Sequence, residues 1–412
     1  MKVNHSLKLV LMLYFISHLV AVFFVNLLGF TGFSSTPYIR LFFGLVLIVY
    51  FYIFIQNANY QLVIFNDFYM FFRVYVLLGF IWFIIGFSNF NFYFVTDFVY
   101  YVIFVLSFFV CAHLLTVDSY FESDLWLFIC KLASFSSVFC VVMKVLGVNP
   151  PGTILLFIFV VFITIFFTKS NDNVEKYFWI ITFSLLALVT VLNRAFYLQA
   201  ILVFIVASFI RFNVYDYFKY FSFMFLSIVI LYFSFDFISE YIIAGTQLER
   251  RISETINIFH SGISEEISIP MLQRLYEVQL VTEKFIESPW MLAFGFGFGP
   301  VLDMSSSIDA SLKGSQLMGA EMTHNIHFLH ASLLYRYGVL GVLVYLYMLL
   351  KVSRYILFIK KDFYENSLIL FSALYILSAF VFSISASSTI YVDPVLPISL
   401  AILGASYFRS ET

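Results

Sequence analysis

Charged side chains make up only 11% of this 412-residue chain, against about 25% in soluble domains. A chain so poor in charge lacks the polar surface to coat a water-soluble globule. Basic residues are no more abundant than acidic ones. The formal net charge is -2, which offers no basic footprint for nucleic acid. Cysteine is scarce as well. Cys111, Cys130 and Cys140 all fall in apolar segments. They give no disulfide framework and read as small buried hydrophobes. The sequence also has no internal repeat, no low-complexity linker, no HExxH, no nucleotide-binding fingerprint and no carboxylate pair for a metal.

What is abundant is apolar. Hydrophobic residues reach 62% and mean hydropathy is +0.98. A bilayer core about 30 Å thick needs about 20 apolar residues per helix. On that basis the sequence predicts about twelve membrane helices, near 7–28, 39–55, 68–87, 98–117, 125–147, 153–168, 177–192, 195–212, 219–235, 326–350, 366–385 and 394–408. The first apolar run is too long for a cleaved signal peptide, and no small-x-small site follows it. The expected fold is therefore an all-α polytopic integral membrane protein. It divides into an N-terminal helix bundle (1–235), one large polar loop (236–323) and three C-terminal helices (324–412).

Orientation follows from Lys and Arg placement. With the N-terminus inside, Lys2, Lys8, Lys169, Lys176, Arg211, Lys219, Lys351, Arg354, Lys360, Lys361 and Arg409 are cytoplasmic. Only Arg40, Lys144 and Arg194 fall in the short outer loops. This bias puts both termini in the cytoplasm and the large loop outside. Within that loop, residues 247–260 and 271–287 carry the spacing of amphipathic helices lying at the membrane surface. Ser288-Pro289 ends the second. Alternating Gly295, Gly297 and Gly299 then mark a turn or a close backbone approach, and 305–319 reads as a Ser- and Gly-rich mobile loop.

Several residues carry candidate chemistry. Arg194 sits in a minimal outer connection beside Asn193. It is either a snorkelling charge or a phosphate ligand, since guanidinium binds phosphate in a bidentate fork. Arg274 is a solvated helix-face residue or a second such ligand. Arg250 and Arg251 suit lipid head groups equally well. The run Thr323-His324-Asn325-Ile326-His327-Phe328-Leu329-His330 is the densest group of reactive side chains. Its three histidines, spaced by three, would spread over about 120° of a helix. They have no HExxH context and no nearby Cys, so no metal is expected. His324 reads either as an interfacial histidine or as a general base, with Asn325 orienting it or holding a sugar hydroxyl. Arg336 lies ten residues past Ile326, about 15 Å deep at 1.5 Å per residue. It must face protein or a water-filled cavity, as a functional residue or in a structural ion pair.

These stretches resemble the O-antigen polymerase and ligase superfamily (Wzy and WaaL). The similarity runs through Leu192-Asn193-Arg194-Ala195, through Arg274 on a helix closed by Pro289, and through Phe294-Gly295-Phe296-Gly297-Phe298-Gly299. It continues in His324-Asn325-x-x-x-Leu329 and in Arg336-Tyr337-Gly338-Val339-Leu340-Gly341. The plan of a large outer loop before the last helices is similar too. Asn193 stands where the family usually has Ser, and Arg336 where it commonly has an acidic or polar residue.

The resemblance implies a GT-C-like glycosyltransferase in a bacterial inner membrane, with the large loop in the periplasm. Its substrate would be an oligosaccharide on undecaprenyl pyrophosphate, serving as donor and acceptor, with membrane lipids around it and a chain-length regulator protein as a candidate partner. The chemistry agrees. The donor's pyrophosphate is already a good leaving group once its charge is neutralised by fixed arginines. Arg194 and Arg274 would hold it, His324 would activate the acceptor, and Asn325 and Glu321 would position it. No cofactor is implied. The expected reaction is polymerisation of repeat units. The alternatives are ligation to lipid A core, or a lipid-linked oligosaccharide flippase or other transporter, whose paired broken helices are not evident in the sequence.

Overall fold

The computed structural model describes residues 66–88, 90–117, 121–148, 150–168, 172–188, 194–211, 269–304, 322–324, 326–358, 366–385 and 393–411, and isolated positions from 7 to 52 and at 222. Nearly all of it is helical: α1 (Asn66–Phe87), α2 (Phe92–Val117), α3 (Phe121–Val145), α4 (Gly152–Phe167), α5 (Asp172–Leu188), α6 (Arg194–Arg211), α7 (Ile269–Glu287), α8 (Met291–Phe294), α9 (Leu329–Phe358), α10 (Ser367–Ser385) and α11 (Val395–Glu411). A two-residue strand β1 (Leu302–Asp303) pairs antiparallel with β2 (Met322–Thr323), Leu302 opposite Thr323.

Among the described residues, five helices are long and apolar enough to cross a membrane: α1, α2, α3, α9 and α10. The chain is an all-α, multi-pass membrane protein. The expected span 219–235 lies almost wholly outside the described residues and 39–55 about half outside them, while 236–268 and 305–321 of the large loop lie entirely outside.

Helix α4 is shorter than a span, and its packing gives the reason. It is apolar on all sides and touches α3, α5, α6 and α10. A helix hydrophobic all round belongs inside protein, and Phe157, fully buried, meets Phe15, Phe371 and Tyr375. Enclosed by other helices, α4 need not match the bilayer thickness. Three small polar residues inside the bundle return their hydroxyls to the carbonyl four residues back, Thr164 to Val160, Ser372 to Leu368 and Ser383 to Ala379, so these add no unsatisfied group. The buried hydroxyls of Ser107, Ser136, Ser208 and Ser399 have no hydrogen-bond partner among the described residues.

Polar anchors hold one end of the bundle. Lys8 pairs with Asp124 at the start of α3. Asn366 donates to Glu122 at 3.0 Å and caps α10 by accepting from Leu368 N–H. The opposite end, where α1 stops and α2 and α9 begin, meets the glycine-rich stretch from Gly295 to Pro300.

At that end α9 is broken. Gly338 adopts φ 65°, ψ -171° within it, which frees the carbonyls of the preceding turn. The glycine-rich turn after α8 satisfies them. Phe296 N–H donates to Tyr335 O at 2.8 Å and Gly297 N–H to Arg336 O at 2.9 Å, while Phe298 N–H donates to Trp82 O of α1 at 3.3 Å. The backbones touch. A Cβ on Gly295 would stand 2.4 Å from the Arg336 carbonyl, and one on Gly338 2.4 Å from Ala293 O. Both glycines are also at positive φ, so they meet the conformational and the steric requirement together. The Phe side chains between the glycines splay apart, Phe296 onto Phe285 and Tyr335, Phe298 into the core against Tyr101 and Tyr337.

Candidate functional site

The start of α2 organises the site. Asn91 caps the helix, its Oδ1 accepting from Phe94 N–H at 2.9 Å, and its Nδ2 donates to Gly299 O at 2.9 Å. Tyr93 and Asp97 follow on one helix face, four residues apart. Asp97 is buried, and its carboxylate gathers three polar partners from distant stretches. Arg336 Nη1 lies 2.8 Å and His324 Nε2 3.0 Å from Oδ1, and Gly299 N–H donates to Oδ2 at 2.9 Å. Arg336 Nη2 also donates to His324 O at 2.9 Å and lies 2.9 Å from His324 Nε2.

His324 is thereby fixed on all sides. Its Nδ1 is 2.9 Å from Pro300 O. A carbonyl only accepts, so Nδ1 carries a proton. Nε2 then either accepts from the Arg336 guanidinium or, in a doubly protonated ring, donates to Asp97. Tyr93 stacks on the ring, centroids 4.3 Å apart and planes within 18°. The side chain is 9% exposed. The sequence assigns His324 the acceptor-side proton transfer; the structure gives it a ring with both nitrogens engaged.

Arg336 lies seven residues into α9 rather than ten into a helix beginning at Ile326. Asp97, its partner, is five residues into α2, about 7.5 Å from that helix end at 1.5 Å per residue. The expected depth of about 15 Å assumes one straight helix from Ile326. The helix starts at Leu329 and breaks at Gly338. Its guanidinium is engaged with Asp97 and His324 inside the protein.

A second histidine is held differently. Glu277 of α7 is fully buried and accepts twice from His327, from the backbone N–H at 2.8 Å and from Nδ1 at 2.8 Å. The His327 side chain is 39% exposed. Because α9 begins at Leu329, His324 and His327 precede the helix and the three histidines share no helical face. His330 instead stacks on Phe328 at 5.4 Å. Among the described residues, no group of His, Cys, Asp or Glu is arranged to hold a metal ion.

Arg274, three residues before Glu277 on α7, is half-buried with its guanidinium 5.9 Å from the centre of the Phe328 ring. Arg194 is the first residue of α6; its side chain lies outside the described set. Glu321, Asn325 and Arg251 also lie outside it. Beside the His324 cluster runs a groove of about 510 Å³, lined by Phe90, Asn91, Lys284, Phe296, Pro300 and Tyr335.

Sequence reasoning missed Asp97, Glu277, Tyr93 and the Pro300 carbonyl. Asp97 left a signal: an acidic side chain within an apolar run is costly in a membrane unless it has a partner, and Arg336 is its complement. Glu277 left none, being one of several acidic residues on a polar helix. No protein-family model matches the chain, and no curated protein is significantly similar to it.

Proposed function

We propose that this chain is a polysaccharide polymerase of the O-antigen type. In this reading it joins oligosaccharide repeat units carried on undecaprenyl pyrophosphate, at the outer face of a bacterial inner membrane. The observation that carries it is convergence. The Gly295–Gly299 turn, His324 and Arg336 belong to the stretches on which the family resemblance rests, and all three donate to or contact the single carboxylate of Asp97. Motifs scattered along a chain are weak. Motifs that meet at one buried charge at the end of an apolar bundle support a shared site.

The chemistry asks little more of the protein. A fixed array of charges in a site partly shielded from water stabilises a departing pyrophosphate. Arg194 and Arg274 are the proposed donor ligands. The groove beside Asn91 combines aromatic faces with amide and ammonium groups, a lining suited to sugar rings and hydroxyls. The proposed frame is GT-C-like with about twelve spans, both termini cytoplasmic and the 236–323 loop periplasmic.

The test is deletion of the coding sequence in the bacterium that carries it, followed by gel analysis of its lipopolysaccharide. A single repeat on the core supports the polymerase. Bare core with repeat units left on the lipid carrier makes the chain a ligase instead.

A further inference from the structure

Glu277 and His327 form a pair that the reading above does not use. The carboxylate has no exposed surface and accepts both the His327 backbone N–H and Nδ1 at 2.8 Å. Since a carboxylate only accepts, Nδ1 carries the proton and Nε2 carries the lone pair. Among the described residues Nε2 has no hydrogen-bond partner, and the side chain is 39% exposed. His324 is the opposite case, 9% exposed with both nitrogens engaged. Of the two, only His327 offers an incoming hydroxyl an oriented, open base.

We propose that His327, oriented by Glu277, is the base that takes the proton from the acceptor sugar hydroxyl, while His324 and Arg336 hold the charged floor of the site. This rests on the polymerase reading. The acceptor oxygen forms a bond to the donor's anomeric carbon. The bond from that carbon to the pyrophosphate oxygen breaks, and its electron pair leaves on undecaprenyl pyrophosphate. The hydroxyl proton passes to His327 Nε2. The resulting imidazolium is stabilised by the buried Glu277 carboxylate and returns its proton to water. Glu277 touches no substrate and is a positioning residue. Its role is to fix the tautomer and to face the charge that develops, the orienting logic of a carboxylate behind a catalytic histidine.

The experiment uses the full chain in vesicles, with lipid-linked repeat units extracted from cells deleted for it. Wild type extends the repeats. His327→Ala lowers kcat by about 10²–10⁴-fold, the usual contribution of such a base, with KM for the lipid-linked repeat within about threefold, since binding is kept. Glu277→Gln lowers kcat by at least about tenfold at similar KM, because an amide can donate to Nδ1 and turn the lone pair inward. The ¹⁵N shifts of labelled histidine then move from the Nδ1-protonated to the Nε2-protonated form, a signature that loss of packing alone does not produce. Should His327→Ala fail to insert, His327→Gln reads the same loss. If wild type extends and His327→Ala, or Glu277→Gln, keeps its kcat within about threefold, the assignment is overturned and the polymerase reading stands. If wild type extends nothing, both fall.

Discussion

Asp97 on α2 and Arg336 on α9 pair at 2.8 Å, with side chains only 8% and 5% exposed. A charge this deep is retained only because its partner is there, which makes the pair sensitive to half-removal. Removing one member of a buried pair costs about 3–5 kcal/mol, whereas removing both is far milder. Asp97→Ala also strands the Gly299 N–H, adding about 1–3 kcal/mol. Thermal unfolding in detergent should therefore show large losses for Asp97→Ala and for Arg336→Met. The double variant should lose clearly less than the sum. Strict additivity would mean that the two charges do not interact.

Gly147 and Gly295 separate backbone strain from steric clash. Both hold φ between 75° and 78°, yet an added Cβ meets nothing within 4 Å at Gly147 and the Arg336 carbonyl at 2.4 Å at Gly295. Gly147→Ala should cost only the conformational penalty, on the order of 1–2 kcal/mol. Gly295→Ala should cost more and lose activity as well, because it pushes apart the turn and the broken helix that hold Arg336. Equal costs for the two variants would show that the packed turn contributes nothing.

Arg194→Ala and Arg274→Ala should each abolish chain extension while the protein still inserts. Lysine at either position should rescue only partly, since a point charge does not reproduce the bidentate fork. Chain extension is read on gels of the polysaccharide. Full activity in Arg274→Ala would reduce that residue to its contact with Phe328.

Cysteine introduced at Ser306 should react with a membrane-impermeant thiol reagent in cells whose outer membrane alone is permeabilised. The background is low because Cys111, Cys130 and Cys140 are buried. Labelling that appears only after the inner membrane is broken would put the large loop on the cytoplasmic side.

The residues legible in the sequence were those whose neighbours are local. Helix α7 was expected over 271–287 and runs over Ile269–Glu287, because its apolar spacing and the stop at Ser288-Pro289 are both short-range signals. The alternating glycines announced a close backbone approach, and the structure supplies the partners. Asp97 was lost because apolar length put the start of its helix at 98, whereas the Asn91 cap starts it at Phe92. Its meaning also depends on Arg336 and His324, hundreds of residues away. The exchange of environments between His324 and His327 was equally hidden. Spacing treats them alike, and only the folded positions of Pro300 and Glu277 separate a ring with both nitrogens engaged from one left open.

The two-residue pairing of Leu302–Asp303 with Met322–Thr323 has an evolutionary consequence. It brings together the two ends of residues 304–321 immediately before His324, so the excursion leaves and returns at one point. Lengthening such a closed segment is inexpensive, about 0.6 kcal/mol for each doubling. Insertions, deletions or an epitope tag there should leave His324 and Arg336 where they are. Length and sequence there can therefore change at little cost to the charged cluster around Asp97.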